Sequence, residues 1–140
     1  MTLDTYLKSN CNWNNRKLIN NNELSNIWKK AGYCPTSKLV DFLSLFYNMK
    51  LFFEYKGEKN DIDFRLKKIL EDHPFDLVHD QYIDLLDTSN VTPFGEIQEG
   101  YMVLLADDKN NIFGVCDDII SKFGNDYFDM LDKIYKNIYE

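Results

Sequence analysis

Val91-Thr92-Pro93-Phe94-Gly95-Glu96-Ile97 is followed a few residues on by Tyr101-Met102-Val103-Leu104-Leu105-Ala106, and the polar run Asp107-Asp108-Lys109-Asn110-Asn111 then leads into Ile112-Phe113-Gly114-Val115. Each apolar run has the length of a strand, and the polar segments between them are far too short for a helical crossover. Asn and Asp tolerate left-handed backbone, so Asp107–Asn111 reads as a hairpin turn. The same five residues carry oxygen donors for calcium, but they lack the glycine and the distal bidentate glutamate of an EF-hand loop. The stretch therefore predicts consecutive antiparallel strands.

Working outward, Leu51-Phe52-Phe53-Glu54-Tyr55 is aromatic-rich and reads as a strand. Gly57 to Asn60 supply a turn. Ile62, Phe64 and Leu66 then alternate with Asp63, Arg65 and Lys67, the period of a half-exposed strand. Helical spacing appears on either side. Leu3, Tyr6 and Leu7 follow Thr2; Leu24, Ile27, Trp28 and Ala31 end at Gly32; Leu39, Val40, Phe42, Leu43 and Phe46 follow Pro35-Thr36. Phe75 to Leu86 is helical with Val78, Tyr82, Leu85 and Leu86 on one side. A final helix carries Phe128, Leu131, Ile134, Tyr135 and Ile138, and Asp117-Asp118 read as the start of a short helix before it. This order predicts an α+β fold: one domain over residues 1–140, with a mainly antiparallel central sheet of about five to six strands. N-terminal helices and a C-terminal helix pack on that sheet.

The 140 residues carry 16 Lys+Arg and 23 Asp+Glu, a net charge of −7. Residues 1–60 hold nine basic and five acidic side chains, a net of +4; residues 61–140 hold seven and 18, a net of −11. Aromatics at 15% argue against a disordered acidic tail. A negative balance disfavours nucleic acid and anionic membrane as direct partners, since both select for Lys and Arg. No apolar run is long enough to span a membrane, and the start lacks the n- and h-regions of a secretory signal. Cys11, Cys34 and Cys116 are odd in number and widely spaced, which predicts free thiols in a reducing compartment, the cytoplasm.

No P-loop, G-x-S-x-G or H-E-x-x-H occurs. His79 follows Asp76 by three residues on a predicted helix, but no third group completes a metal site or an oriented base. A hydrolase built on His79 ranks last among the readings, and no catalytic residue, metal or cofactor is assigned. Several carboxylates have local duties. Asp126 and Asp129 suit a helix start, and Asp129–Lys133 and Asp132–Lys136 form i,i+4 pairs. Others have none: Asp61 and Asp63 at a strand edge, Glu96 and Glu99 in the loop before Gly100, and Asp107 and Asp108 on the turn. With Tyr55 and Tyr101 nearby, these eight residues are the candidate partner-binding set, an exposed acidic and aromatic surface suited to a basic protein.

The order of motifs resembles the SUKH superfamily of bacterial immunity proteins, and within it the third subfamily. Asn12-Trp13-Asn14-Asn15-Arg16 is similar to an opening G-W-x-x-x-R. Ala31-Gly32-Tyr33 leads into Val40-Asp41-Phe42-Leu43-Ser44-Leu45-Phe46, like the F-L-x-x-F helix. Val91-Thr92-Pro93-Phe94-Gly95-Glu96 resembles the x-P-x-G entry to a central hairpin running from Gly100-Tyr101 to Ile112-Phe113, and Gly124 precedes the last helix. Asn12, Tyr47-Asn48-Met49 and Asn110-Asn111 stand where glycines are common. The first and last exchanges are mild, because asparagine is the next-best residue for left-handed backbone.

The resemblance implies a small, non-enzymatic α+β protein. It would bind and neutralise a cognate toxin of a polymorphic-toxin system, often a nuclease with a basic groove, in the producer's cytoplasm. Separately from the resemblance, a monomer or weak homodimer is expected. A non-toxin adaptor or regulatory scaffold on the same fold is the alternative.

Overall fold

The computed structural model describes residues 2–139. Three helices open the chain: α1 (Leu3–Asn10), α2 (Asn21–Lys30) and α3 (Ser37–Ser44). Each has a side-chain cap where a first turn leaves backbone N–H groups unpaired. Thr2 accepts from the Thr5 amide, Asn20 from those of Asn22 and Glu23, and Thr36 from that of Leu39.

The sheet follows as β1 (Lys50–Tyr55), β2 (Glu58–Asp63), β3 (Val91–Ile97), β4 (Met102–Asp107), β5 (Ile112–Cys116) and β6 (Ile119–Gly124). Between β2 and β3 lie α4 (Leu66–Asp72) and α5 (Phe75–Tyr82), and α6 (Tyr127–Lys136) closes the chain. The six strands stand in sequence order, every neighbouring pair antiparallel. The fold is therefore α+β, an open meander with helices around it.

The register assigns the two faces. Asp63 pairs with Glu96, Glu96 with Val103, Val103 with Val115, and Val115 with Ile120. Directly paired residues share a face, so this row runs across the side that α4 and α5 cover. The other side wraps α6, which reaches β1 and β2 at one end and β6 at the other. Tyr127, Met130, Leu131, Ile134 and Tyr135 form its buried stripe. Trp28 ties α2 to the sheet: at a bulge between Pro93 and Gly95, the Pro93 carbonyl accepts from the buried indole Nε1 at 2.9 Å.

The two edges of the sheet are finished differently. At β1, the Tyr6 hydroxyl on α1 donates to the Phe52 carbonyl at 3.2 Å and accepts from the Glu54 amide at 3.0 Å. One side chain thus performs the hydrogen bonding a further strand would perform. At β6, no group among the described residues does so for Ile119 to Lys122.

Several boundaries depart from the sequence expectation. The β1–β2 turn is only Lys56-Gly57, both left-handed at φ 51° and 82°, because Tyr55 already pairs with Glu58. The second strand therefore starts at Glu58 and ends at Asp63, and Leu66 onward is α4 rather than strand. Asp117-Asp118 form a two-residue hairpin loop before β6, not a helix start. Asp61 and Asp63 lie on an interior strand, since β1 is the edge. Leu85, Phe128 and Ile138 are exposed; α5 ends at Tyr82, and the stripe of α6 is set by Tyr127 and Met130 instead. The expected i,i+4 bridges form, Lys133–Asp129 at 2.9 Å and Lys136–Asp132 at 3.1 Å. The three cysteines are unpaired. Asn12, Asn48 and Asn110 all take left-handed backbone at φ 53°, 63° and 62°.

Candidate protein-interaction face

The eight candidate residues separate into groups with different duties. Asp61, Asp63, Glu96 and Asp107 are each 7% exposed or less, so they are not part of an open acidic surface. The reason is local pairing. Asp63 accepts the Arg65 amide at 2.9 Å, and its carboxylate takes a two-nitrogen contact from the Arg65 guanidinium, at 2.7 Å from Nη2. Burial alone would raise the Asp63 pKa, but the Arg65 hydrogen bonds and charge, with Lys68, bring it below its ordinary value. Glu96 sits between His73 Nε2 at 2.8 Å and Lys68 Nζ at 3.1 Å. The hydrogen bond with His73 lowers the Glu96 pKa most; burial opposes this, and Lys68 adds to it.

Asp107 is occupied by its own turn. Its Oδ1 accepts the amides of Lys109 at 2.9 Å and Asn111 at 2.8 Å, and Oδ2 accepts from Asn111 Nδ2 at 3.0 Å. Asp108 is exposed beside Ser89, but at the far end of β4 from Tyr101, a strand length of roughly 17 Å. Tyr55 is half-buried on the α6 side, its ring 5.0 Å from that of Tyr135. The structure does not bring Tyr55, Asp107 or Asp108 to the others.

It does bring Asp61, Glu99 and Tyr101 together. The β3–β4 loop runs Gln98-Glu99-Gly100, three consecutive left-handed residues at φ 55°, 58° and 87°. Two of them are not glycine, a conformation that costs of order 1–3 kcal/mol each and persists only where surrounding contacts hold it. Asp61 Oδ1 provides one such contact, accepting the Glu99 amide at 2.9 Å; Gln98 Nε2 donates to the Tyr139 hydroxyl at 2.8 Å. Asp61 is thus a positioning residue under a loop that projects Glu99 and Tyr101 into solvent.

Tyr101 forms one lip of a groove of ≈ 280 Å³ between α5 and the ends of β4 and β5. Leu77 on α5 lines the same groove, and the two side chains are 64% and 66% exposed. Val78, Val103 and Val115 lie between them. The charged lining residues are Asp72 and Asp117, with His73 as the titratable neighbour; no lysine or arginine lines it among the described residues. The neighbouring Cys116 thiol, then desolvation and last the Asp117 charge, hold the Tyr101 phenol above its ordinary pKa. Asp72 itself is bridged to Lys68 at 3.0 Å. Reading the sequence alone missed Leu77, His73 and Asp117. Leu77 carried a signal: it is an apolar residue off the phase of the Val78–Tyr82 stripe.

His79 has a packing role. Its ring stacks on Phe75 at 4.0 Å, and Nε2 lies 3.2 Å from the Val91 carbonyl. No cluster of three or more His, Cys, Asp or Glu able to hold a metal occurs among the described residues. Among the described residues no helix is long and apolar enough to cross a membrane. The chain matches no protein-family model, no curated protein and no solved structure.

Proposed function

We propose that the protein is an immunity protein of the SUKH type, which binds a cognate polymorphic toxin in the cytoplasm and blocks it by occlusion. The observation that carries this reading is the groove between Leu77 and Tyr101. It pairs two exposed apolar anchors with acidic lining and a rigidly held acidic loop. Anchors of this kind supply binding energy, while surrounding charge selects the partner and speeds encounter. The ordered motifs support the family assignment, as do the left-handed asparagines that stand in for its glycines.

The partner of matching chemistry is a basic protein domain, such as a nuclease whose groove attracts phosphate. Glu99 and Asp117 would occupy positions that phosphates take in such a groove, and Tyr101 and Leu77 would insert beside them. The protein contributes no bond-making group in this scheme; steric cover and charge neutralisation suffice.

The test is co-purification of the protein with the toxin encoded beside it, followed by Tyr101→Ala and Glu99→Lys. Each substitution is expected to weaken binding by about tenfold or more, an anchor or charge loss of roughly 1.4 kcal/mol. Association should also slow steeply from low to high salt. Wild-type protein that binds the toxin without protecting cells, or variants that bind unchanged, would overturn the reading.

A further inference from the structure

The contrast between the two sheet edges carries an inference independent of the toxin. Tyr6 closes β1 by bonding both Phe52 and Glu54 backbone groups. The outward backbone groups of Ile119 to Lys122 on β6 have no partner among the described residues, and Ile119 is 55% exposed; farther along, the Phe123 carbonyl accepts from Lys133 Nζ at 3.4 Å. An unpaired edge of this kind is a template for another strand. Beside it, on the α5 side of the sheet, runs a groove of ≈ 470 Å³ lined by Leu85, Leu86, Ile112, Phe113, Ile120 and Lys122.

We infer that β6 pairs antiparallel with β6 of a second copy of this chain, in a register centred on Ile120. In antiparallel pairing, residues directly opposite point their backbone groups the same way, both toward the partner or both away. Two identical strands can therefore pair only with the two-fold axis through a residue position, not between two. Centring on Ser121 sets Lys122 against Ile120. Centring on Ile119 sets Lys122 against Cys116, beyond the hairpin loop. Only centring on Ile120 sets Lys122 against a carboxylate, that of Asp118, the hairpin-loop residue next to β6, and symmetry repeats the pair.

Both side chains are exposed, and neither has an ion partner within its own chain among the described residues. The same register places Ile120 against its symmetry copy, on the face of the apolar groove, so the two grooves meet across the join. The result is a continuous sheet through both copies. Few residues pair, and each copy carries −7, so the dimer is weak and forms at high protein concentration.

A lone lysine on an edge strand is also a common guard against pairing, and the two roles predict opposite outcomes. Sedimentation equilibrium of the full chain over a wide concentration range reads the association. The wild-type protein is expected to dimerise. Asp118→Lys and Lys122→Asp each place like charges opposite one another twice and should weaken the dimer by roughly tenfold or more. The doubly exchanged D118K/K122D chain restores both pairs and should recover wild-type association. Lys122→Ala should weaken it; a guard would instead give tighter association. Protein that stays monomeric at its highest soluble concentration, or a dimer indifferent to the single exchanges, would overturn the inference. Unchanged thermal melts of these surface variants separate loss of pairing from loss of fold.

Discussion

Glu96 and Glu99 stand three residues apart on one hairpin, and their surroundings set them to different tasks. Glu96 is on β3, enclosed by Lys68 from α4 and His73 from the α4–α5 junction. Its charge is answered inside the molecule, so it belongs to the fold. Glu99 is on the left-handed loop above, lifted into solvent by a backbone hydrogen bond to Asp61. Its charge is unanswered and available to a partner. The difference teaches that for these two carboxylates the role follows from the elements that arrive from elsewhere in the chain, whereas Asp63 and Asp107 are engaged by their own neighbours in sequence.

The comparison can be broken first at Glu96. Glu96→Ala leaves Lys68 and His73 facing a buried gap, and a loss of about 2 kcal/mol is expected, discounted because Lys68 is half-exposed. Urea titration checks this; a change near zero would place Glu96 with the surface carboxylates. Next comes Asp61→Ala, which removes the acceptor under the strained loop. About 1 kcal/mol of stability should go, and the Glu99 amide should exchange with solvent about tenfold faster. Asp61→Asn keeps an acceptor oxygen and should behave nearly as wild type.

Acid should distinguish the two kinds of carboxylate as well. Asp63 and Glu96 have folded-state pKa values below their ordinary ones, 3.8 and 4.5. Their contribution is present above the ordinary value and is lost as pH falls through the lowered one. Stability should therefore decline below about pH 4.5, and D63N/E96Q should flatten that decline. An acid limb unchanged by the pair of substitutions would assign it to other groups. The smallest effect is at Glu99 itself: Glu99→Ala should alter stability by no more than about 0.5 kcal/mol, while binding to the proposed toxin partner falls.

The fold was largely legible from the residues. Val91–Ile97 and the strands after it announce themselves because the alternation, the turn residues and the short spacers agree. The Ile62–Lys67 reading failed because a two-residue turn at Lys56-Gly57 starts β2 early, and Asp63 is buried by Arg65 rather than exposed by alternation. The site was half legible. Glu99 and Tyr101 sit on a loop whose composition marks it as exposed. The burial of Glu96 depends on Lys68, 28 positions away, and the groove exists only once α5 lies over β4 and β5. No local pattern encodes such meetings.

The Tyr6 hydroxyl that completes the β1 edge has a consequence for solution behaviour. The strand it covers, Lys50–Tyr55, is rich in aromatic residues and of the length that stacks readily into intermolecular sheets. Its protection hangs on α1, a helix of eight residues, too short to be stable by itself. Fraying of that helix would bare the Phe52 and Glu54 backbone groups to another strand. Tyr6→Phe, which keeps the ring and discards both bonds, should shorten the shelf life of concentrated solutions well before it lowers the melting temperature.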